Sequence, residues 1–189
     1  MPYKRDIESA LPVLKNGGLI LLPTDTVWAI GCDATNKKAV ERLYQLKNKR
    51  SPENLVVLLA NEQDISKYTS QQNLIVFDYI KGVHKPTTVV YEQPRGLPES
   101  ITDDDGTIAI RVIKDLFLSA LIREMGRPLL SATANISGDL IPSLYSEINN
   151  NVISGVDYVV KYRQEETIYH EPSSIIRWNK DGTLTILRA

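Results

Sequence analysis

Leu19-Ile20-Leu21-Leu22 runs directly into Pro23-Thr24-Asp25-Thr26-Val27-Trp28-Ala29-Ile30-Gly31-Cys32-Asp33-Ala34. The apolar run shows no polar alternation, the pattern of a fully buried strand rather than one with a wet face. Pro23 has no N–H and cannot extend a central ladder, so the chain leaves the strand there as a loop. Small hydroxyl-bearing and acidic side chains follow, suited to short hydrogen bonds with a polar ligand. Loops beyond strand ends are where open α/β sheets bind ligands. Alone, the loop predicts a site without a chemistry. A turn whose Thr and Asp satisfy their own backbone reads equally well.

Outward from this stretch, helices and strands alternate. Asp6 is placed to cap a helix over 7–15 that Asn16-Gly17-Gly18 ends. Asn36 opens a second helix, with Val40, Leu43 and Tyr44 at helical spacing. Residues 55–59 read as a buried strand and 70 or 71 to 80 as a helix closed by Lys81-Gly82. The β-branched runs 87–91 and 107–113 are strand-like. Asp115 caps a helix to Met125, stopped by Gly126 and Pro128. A strand starts at Leu129-Leu130, and 145–150 forms a short helix. Strands follow over 156–161, 174–178 and 184–188, the last two joined by the turn Asn179-Lys180-Asp181-Gly182. The fold class is α/β to α+β: a twisted mixed β-sheet with flanking helices.

The chain has 189 residues, 42% of them hydrophobic and 24% charged, which suits a single domain over 1–189. No run approaches the ~20 apolar residues that cross a membrane. The N-terminus lacks the apolar core of a signal peptide, so the expected location is cytoplasmic. A single cysteine excludes an internal disulfide. The net charge of −1 supplies no global field for nucleic acid, so an RNA partner would need a local basic patch.

Four polar clusters interrupt the apolar framework. The first is Thr24/Asp25/Thr26. The second, Lys47-Asn48-Lys49-Arg50, reads either as a solvated helix end or as an anion clamp. The third, from Ser131 through Thr133 and Asn135 to Gly138, combines small residues that admit a ligand to the backbone with neutral donors. A local Ser/Thr turn is the alternative. The fourth is Arg111 inside a strand pattern, where a buried charge needs a partner, either a structural carboxylate or that of a substrate. No Gly-rich phosphate loop or dinucleotide fingerprint occurs. Cys32, His84 and His170 have no metal-ligand spacing, and no metal site is assigned. A lone cysteine beside an apolar run is more often inert than nucleophilic.

In order, these clusters resemble the YrdC-like family, the threonylcarbamoyl-AMP synthases that serve tRNA modification. Pro23-Thr24-Asp25-Thr26 with Gly31-Cys32-Asp33-Ala34 is similar to the family's Pro-Thr-Glu-Thr and Gly-Cys-Asp-Ala. Lys47-Asn48-Lys49 falls on its Lys-x-Arg, and Pro86-Thr87-Thr88 on its Pro-x-Thr. Residues 107–112 resemble Thr-Val-Ala-Val-Arg-Val. Residues 133–138 fall on Ser-Ala-Asn-x-Ser-Gly, and 172–176 on Pro-Ser-Thr-Val-Val. The likeness covers about 7–188.

The resemblance implies a YrdC-like fold around a large positively charged cavity. It implies synthesis of threonylcarbamoyl-AMP and pyrophosphate from L-threonine, bicarbonate and ATP with Mg²⁺. Downstream threonylcarbamoyl-transferase proteins or tRNA would be partners. By position, Thr26, Arg111 and Ser173 would hold threonine, with Lys47, Lys49 and Arg111 carrying the catalytic charge. The nucleotide would meet Lys47, Lys49, Arg50, Thr88, Thr107, Thr133, Asn135, Ser143 and Arg188. The chain departs from the pattern at Asp25 for glutamate, at Trp28-Ala29-Ile30 for Tyr-Gly-Leu, and at Lys49-Arg50 for Arg-Pro. It departs again at Glu53 for Asn or Lys, and at Ile113-Lys114 for a proline-containing segment. A second reading is therefore a non-catalytic paralogue binding nucleotide or structured RNA.

Overall fold

Alternating side chains along the strands feed two apolar cores, one on each face of a mixed sheet. The computed structural model describes residues 1–48, 55–70, 74–179 and 181–189. Its strands are β1 (Ile20–Leu22), β2 (Ala29–Asp33), β3 (Val56–Leu59), β4 (Thr87–Glu92), β5 (Thr107–Val112), β6 (Leu129–Thr133), β7 (Tyr158–Val159), β8 (Ser174–Trp178) and β9 (Leu184–Arg188). They pair in the order β7-β1-β2-β6-β3-β5-β4-β8-β9. The β1/β7, β3/β5 and β4/β8 pairs are parallel, and the other pairs are antiparallel.

Leu21, Ile30, Cys32 and Val57 face one core together with Val40 and Leu43 of helix α2 (Lys37–Lys47). Ile20, Leu22, Ala29 and Leu58 face the other, against α1 (Lys4–Lys15) and α5 (Leu116–Met125). Burial on both sides explains why the central strands carry no polar alternation. Two short helices, α3 (Ile65–Tyr68) and α4 (Leu74–Gly82), precede β4, and α6 (Asn150–Gly155) precedes β7.

The caps at Asn36 and Asp115 form as the sequence predicts. Asn36 accepts from the amides of Lys38 and Ala39, and Asp115 accepts from Leu118, each satisfying end donors that the helix itself cannot. Gly126 ends α5 in the left-handed conformation, φ 70°.

Asp6 requires a correction. The first helix begins at Lys4, and Asp6 caps nothing. Only 5% exposed, its carboxylate instead accepts from Tyr158 Oη at 2.7 Å and from the amides of Lys161 and Tyr162 at 2.9 Å each. That tie fixes the segment beyond β7, so the strand predicted over 156–161 is reduced to Tyr158–Val159. Ala29–Asp33 is also strand rather than loop, because it pairs with both β1 and β6. The loop is confined to 23–28. The predicted helix over 145–150 divides into a single 3₁₀ turn, Tyr145–Glu147, and α6. The predicted helix start near Gln71 lies outside the described residues.

Candidate functional site

A cavity of about 250 Å³ lies against one face of the sheet, where Ala29, Val56, Arg111 and Ser131 lie within strands. Its wall includes Thr24 and Thr26 from the β1–β2 loop, Lys47 at the end of α2, and Arg111 from β5. The turn after β6 contributes Thr133, Asn135, Ser137 and Asp139, and the last segments contribute Ser173 and Arg188. These positions are scattered along the chain and meet only through the sheet order.

Hydrogen-bond geometry in the 23–28 loop fixes which way its protons point. Thr24 Oγ1 donates to the Val27 carbonyl at 2.8 Å and accepts from the Thr26 amide at 3.0 Å. A hydroxyl has one proton. The 2.9 Å contact between the two hydroxyls must therefore be donated by Thr26 Oγ1. Thr26 also accepts from Arg111 Nη1 at 3.4 Å. With its proton committed, Thr26 can offer the cavity only an acceptor.

Arg111 is 5% exposed. Its Nη2 lies 3.0 Å from Asp25 Oδ1, while its Nε is buried with no hydrogen-bond partner. The structural carboxylate that a buried arginine requires is thus Asp25, which sequence reasoning left unassigned. Burial lowers the Arg111 pKa first of all; Asp25 opposes that shift and nearby Arg188 adds to it. The guanidinium remains charged in any ordinary buffer.

Lys47 is 4% exposed, so the solvated-helix-end reading fails for it. Its ammonium donates to the carbonyls of Thr133 at 2.5 Å and Asn135 at 2.6 Å, and to Asn135 Oδ1 at 3.2 Å. Thr133 Oγ1 donates to the same Asn135 oxygen at 2.6 Å, and Asn135 Nδ2 donates to the Asp139 carbonyl at 2.8 Å. The 133–139 turn is wound around the lysine. Asn48 closes α2 at φ 55°, a left-handed position that asparagine tolerates. Lys49, Arg50 and Glu53 lie outside the described residues.

At the far wall, Arg188 donates from Nε to the Ser173 carbonyl at 2.9 Å and from Nη2 toward Ser173 Oγ at 3.5 Å. Burial lowers the Arg188 pKa. Thr88 is fully buried behind Ser173, their hydroxyl oxygens 2.8 Å apart, and does not line the cavity. Thr107 is absent from the wall too. It starts β5, four residues or about 13 Å from Arg111, and its hydroxyl donates to Asp105. Ser143 is likewise not in the lining; it donates to the His170 carbonyl and accepts from the His170 amide.

Sequence reasoning passed over Arg163. It donates from Nη1 to the Thr24 carbonyl at 2.7 Å and pairs with Glu166. No motif announces it, because its partner is 139 positions away. Cys32 is fully buried, and burial pushes its thiol pKa far up, away from the reactive thiolate. Among the described residues no cluster of His, Cys, Asp and Glu could hold a metal ion, and no helix is long and apolar enough to cross a membrane.

A model of the Sua5, YciO and YrdC proteins, described as telomere recombination, matches residues 12–189. The threonylcarbamoyl-AMP synthase of Escherichia coli O1:K1 / APEC is 32% identical over 138 residues, 70% of this chain and 71% of that protein. P. abyssi Sua5 complexed with L-threonine superposes on 97% of this chain with a TM-score of 0.85 and 21% identity. The match spans 54% of that Sua5 chain, just over half its length. E. coli YciO superposes with a TM-score of 0.82 and 23% identity, over 97% of this chain and 88% of its own. At these identities the structural likeness speaks for the fold alone.

Proposed function

Since this chain belongs to the Sua5/YciO/YrdC family, we propose that it is an L-threonylcarbamoyladenylate synthase supplying tRNA threonylcarbamoyladenosine formation. The observation that carries the reading is the meeting of Thr26, Lys47, Arg111, Asn135, Ser173 and Arg188 on one cavity. In the proposed reaction, bicarbonate and the threonine amine condense to a carbamate with loss of water. A carbamate oxygen attacks the α-phosphorus of ATP, and the bond to the leaving pyrophosphate breaks.

Arg111 supplies the grip on the amino-acid carboxylate. Arg111 lines the cavity, and hydrogen bonds between a charged donor and an ionised carboxylate are the strong ones. Thr26, restricted to accepting, suits an ammonium or hydroxyl proton of the amino acid. Ser173, tied to Thr88 and Arg188, closes that side. Lys47 and Arg188 supply positive charge toward the phosphates, and Asn135 with Thr133 flanks the nucleotide. Mg²⁺ enters with ATP, held chiefly by phosphate oxygens as this ion prefers; Asp139 is the carboxylate on the wall. The enzyme's contribution is positioning and preorganised charge, without a covalent nucleophile. A volume of about 250 Å³ is below the ~300–1,000 Å³ of most ligand pockets. It suits an amino acid and phosphates, with the nucleoside lying toward Ser137 and Ile141 at the rim.

The test is threonine-dependent pyrophosphate release from ATP and bicarbonate by the purified protein, with calorimetry of ATP binding in the presence and absence of threonine. Release above background together with tighter ATP binding supports the reading. ATP binding unaffected by threonine, with no release, rejects it in favour of a nucleotide-binding paralogue.

A further inference from the structure

Arg163 holds a backbone conformation that a side chain must justify. Its φ is +67°, one of three non-glycine residues with positive φ among those described, and for a long side chain this region is strained. Asn48 earns its place as a helix end. Arg163 belongs to no helix end, yet its side chain is extensively engaged. Nη1 donates to the Thr24 carbonyl at 2.7 Å. Nε and Nη2 converge on Glu166 Oε2 at 2.7 and 2.6 Å, and Nη2 lies 3.3 Å from His170 Nε2.

The flanking chain is anchored independently. Asp6 takes the amides of Lys161 and Tyr162, and the Val160 amide donates to Leu21. Arg163 therefore projects from a fixed base, and Glu166 sets the direction of its fork. The group it grips belongs to the residue whose hydroxyl receives the Thr26 proton. Thr26 in turn meets Arg111. The sequence of contacts is Glu166 to Arg163, to Thr24, to Thr26, to Arg111.

We infer that Arg163 is a positioning residue that fixes the 23–28 loop so that Thr26 presents its acceptor to the substrate amino acid. Arg163 itself stands outside the cavity wall and touches no reacting atom. The substrate part of this inference rests on the synthase reading above; the loop-fixing part does not.

The informative variant is R163G, because glycine adopts φ +67° without strain and only the side chain is lost. Two measurements separate the inference from the reading beneath it. Hydrogen exchange follows the Thr26 amide, bonded to Thr24 Oγ1, against the Ile113 amide, bonded to Leu59. Calorimetry follows threonine and ATP. We expect Thr26 exchange to accelerate about tenfold or more with Ile113 unchanged. Threonine affinity should fall about tenfold and ATP affinity stay within about twofold, since the lost contact orients one subsite alone. R163K, which restores a donor toward Thr24 without the braced fork, should recover part of both losses. Unchanged Thr26 exchange overturns the inference. So does an R163G protein that fails to fold or accelerates equally at Ile113, because either shows a merely structural role. A wild-type protein that binds no threonine overturns the synthase reading, whereas accelerated Thr26 exchange in R163G would still support the loop-fixing assignment.

Discussion

Arg111 Nη2 and Asp25 Oδ1 stand 3.0 Å apart as a nearly buried ion pair, their side chains 6% and 15% exposed. The contact is close in distance yet off hydrogen-bond alignment, since Oδ1 makes no hydrogen bond. The carboxylate balances the arginine's charge without using up its fork. Replacing Asp25 by alanine strands an uncompensated charge, which typically costs about 3–5 kcal/mol. Denaturant unfolding of D25A should show that loss, and D25N, which keeps the shape, should lose nearly as much. Equal stability of D25N and wild type would show that the pair contributes nothing.

Lys47 organises the turn that it also charges. In K47M the carbonyls of Thr133 and Asn135 lose their charged donor, a cost of about 1–3 kcal/mol. Pyrophosphate release should fall by about 100-fold or more, in the manner of a lost preorganised cation. A stability loss accompanied by full activity would restrict Lys47 to scaffolding.

Cys32 should ignore thiol reagents in the native protein and react once denatured, because burial raises its pKa. On the synthase reading, C32A should release pyrophosphate as the wild type does. C32S, which buries an unpaired hydroxyl, should cost about 1–3 kcal/mol. Loss of activity in a folded C32A would reopen a nucleophilic role.

Asp157 predicts a pH dependence. The Arg42 side chain, bonded at 3.0 Å, is the main cause holding its carboxyl below the usual carboxylate range; burial opposes this, and the Leu19 amide helps. A depressed folded pKa means the unfolded chain binds more protons on the acid side. The stabilisation is therefore present above the ordinary carboxylate pKa and lost as pH falls through the depressed value. R42Q should raise the midpoint pH of acid unfolding and flatten that part of the curve. An unchanged acid transition would show the pair to be energetically silent, as many exposed pairs are.

Legibility in the sequence followed the range of the interaction concerned. Residues 19–22 and 55–59 read correctly because burial on both faces leaves a local apolar signature. Asn36 and Asp115 read correctly because a cap acts within three residues. Asp6 carried the same local signature and was misread, since its partners lie more than 150 positions away. Ala29–Asp33 looked like loop because Asp33 and Gly31 disguise a strand that pairs with neighbouring β1 on one side and with β6, about 100 residues on, at the other. Lys47 could be read as solvated because the two carbonyls that bury it belong to a turn 86 and 88 residues on. Thr88, Thr107 and Ser143 were carried over by position in the family resemblance, and no local pattern shows that their hydroxyls bond to Ser173, Asp105 and the His170 carbonyl.

The connection between Arg163 and Thr24 also bears on how the molecule comes into being. It closes a loop of 139 residues, and the Leu19–Asp157 contact closes one of 138. Pairings of such span form slowly, because chain closure must precede any reward from contact. Ser173 and Arg188 arrive later still in chain order. A polypeptide emerging from synthesis thus cannot complete the cavity wall until β8 and β9 are made. A fragment ending before β8 would lack Ile175 and Arg188 of the cavity wall.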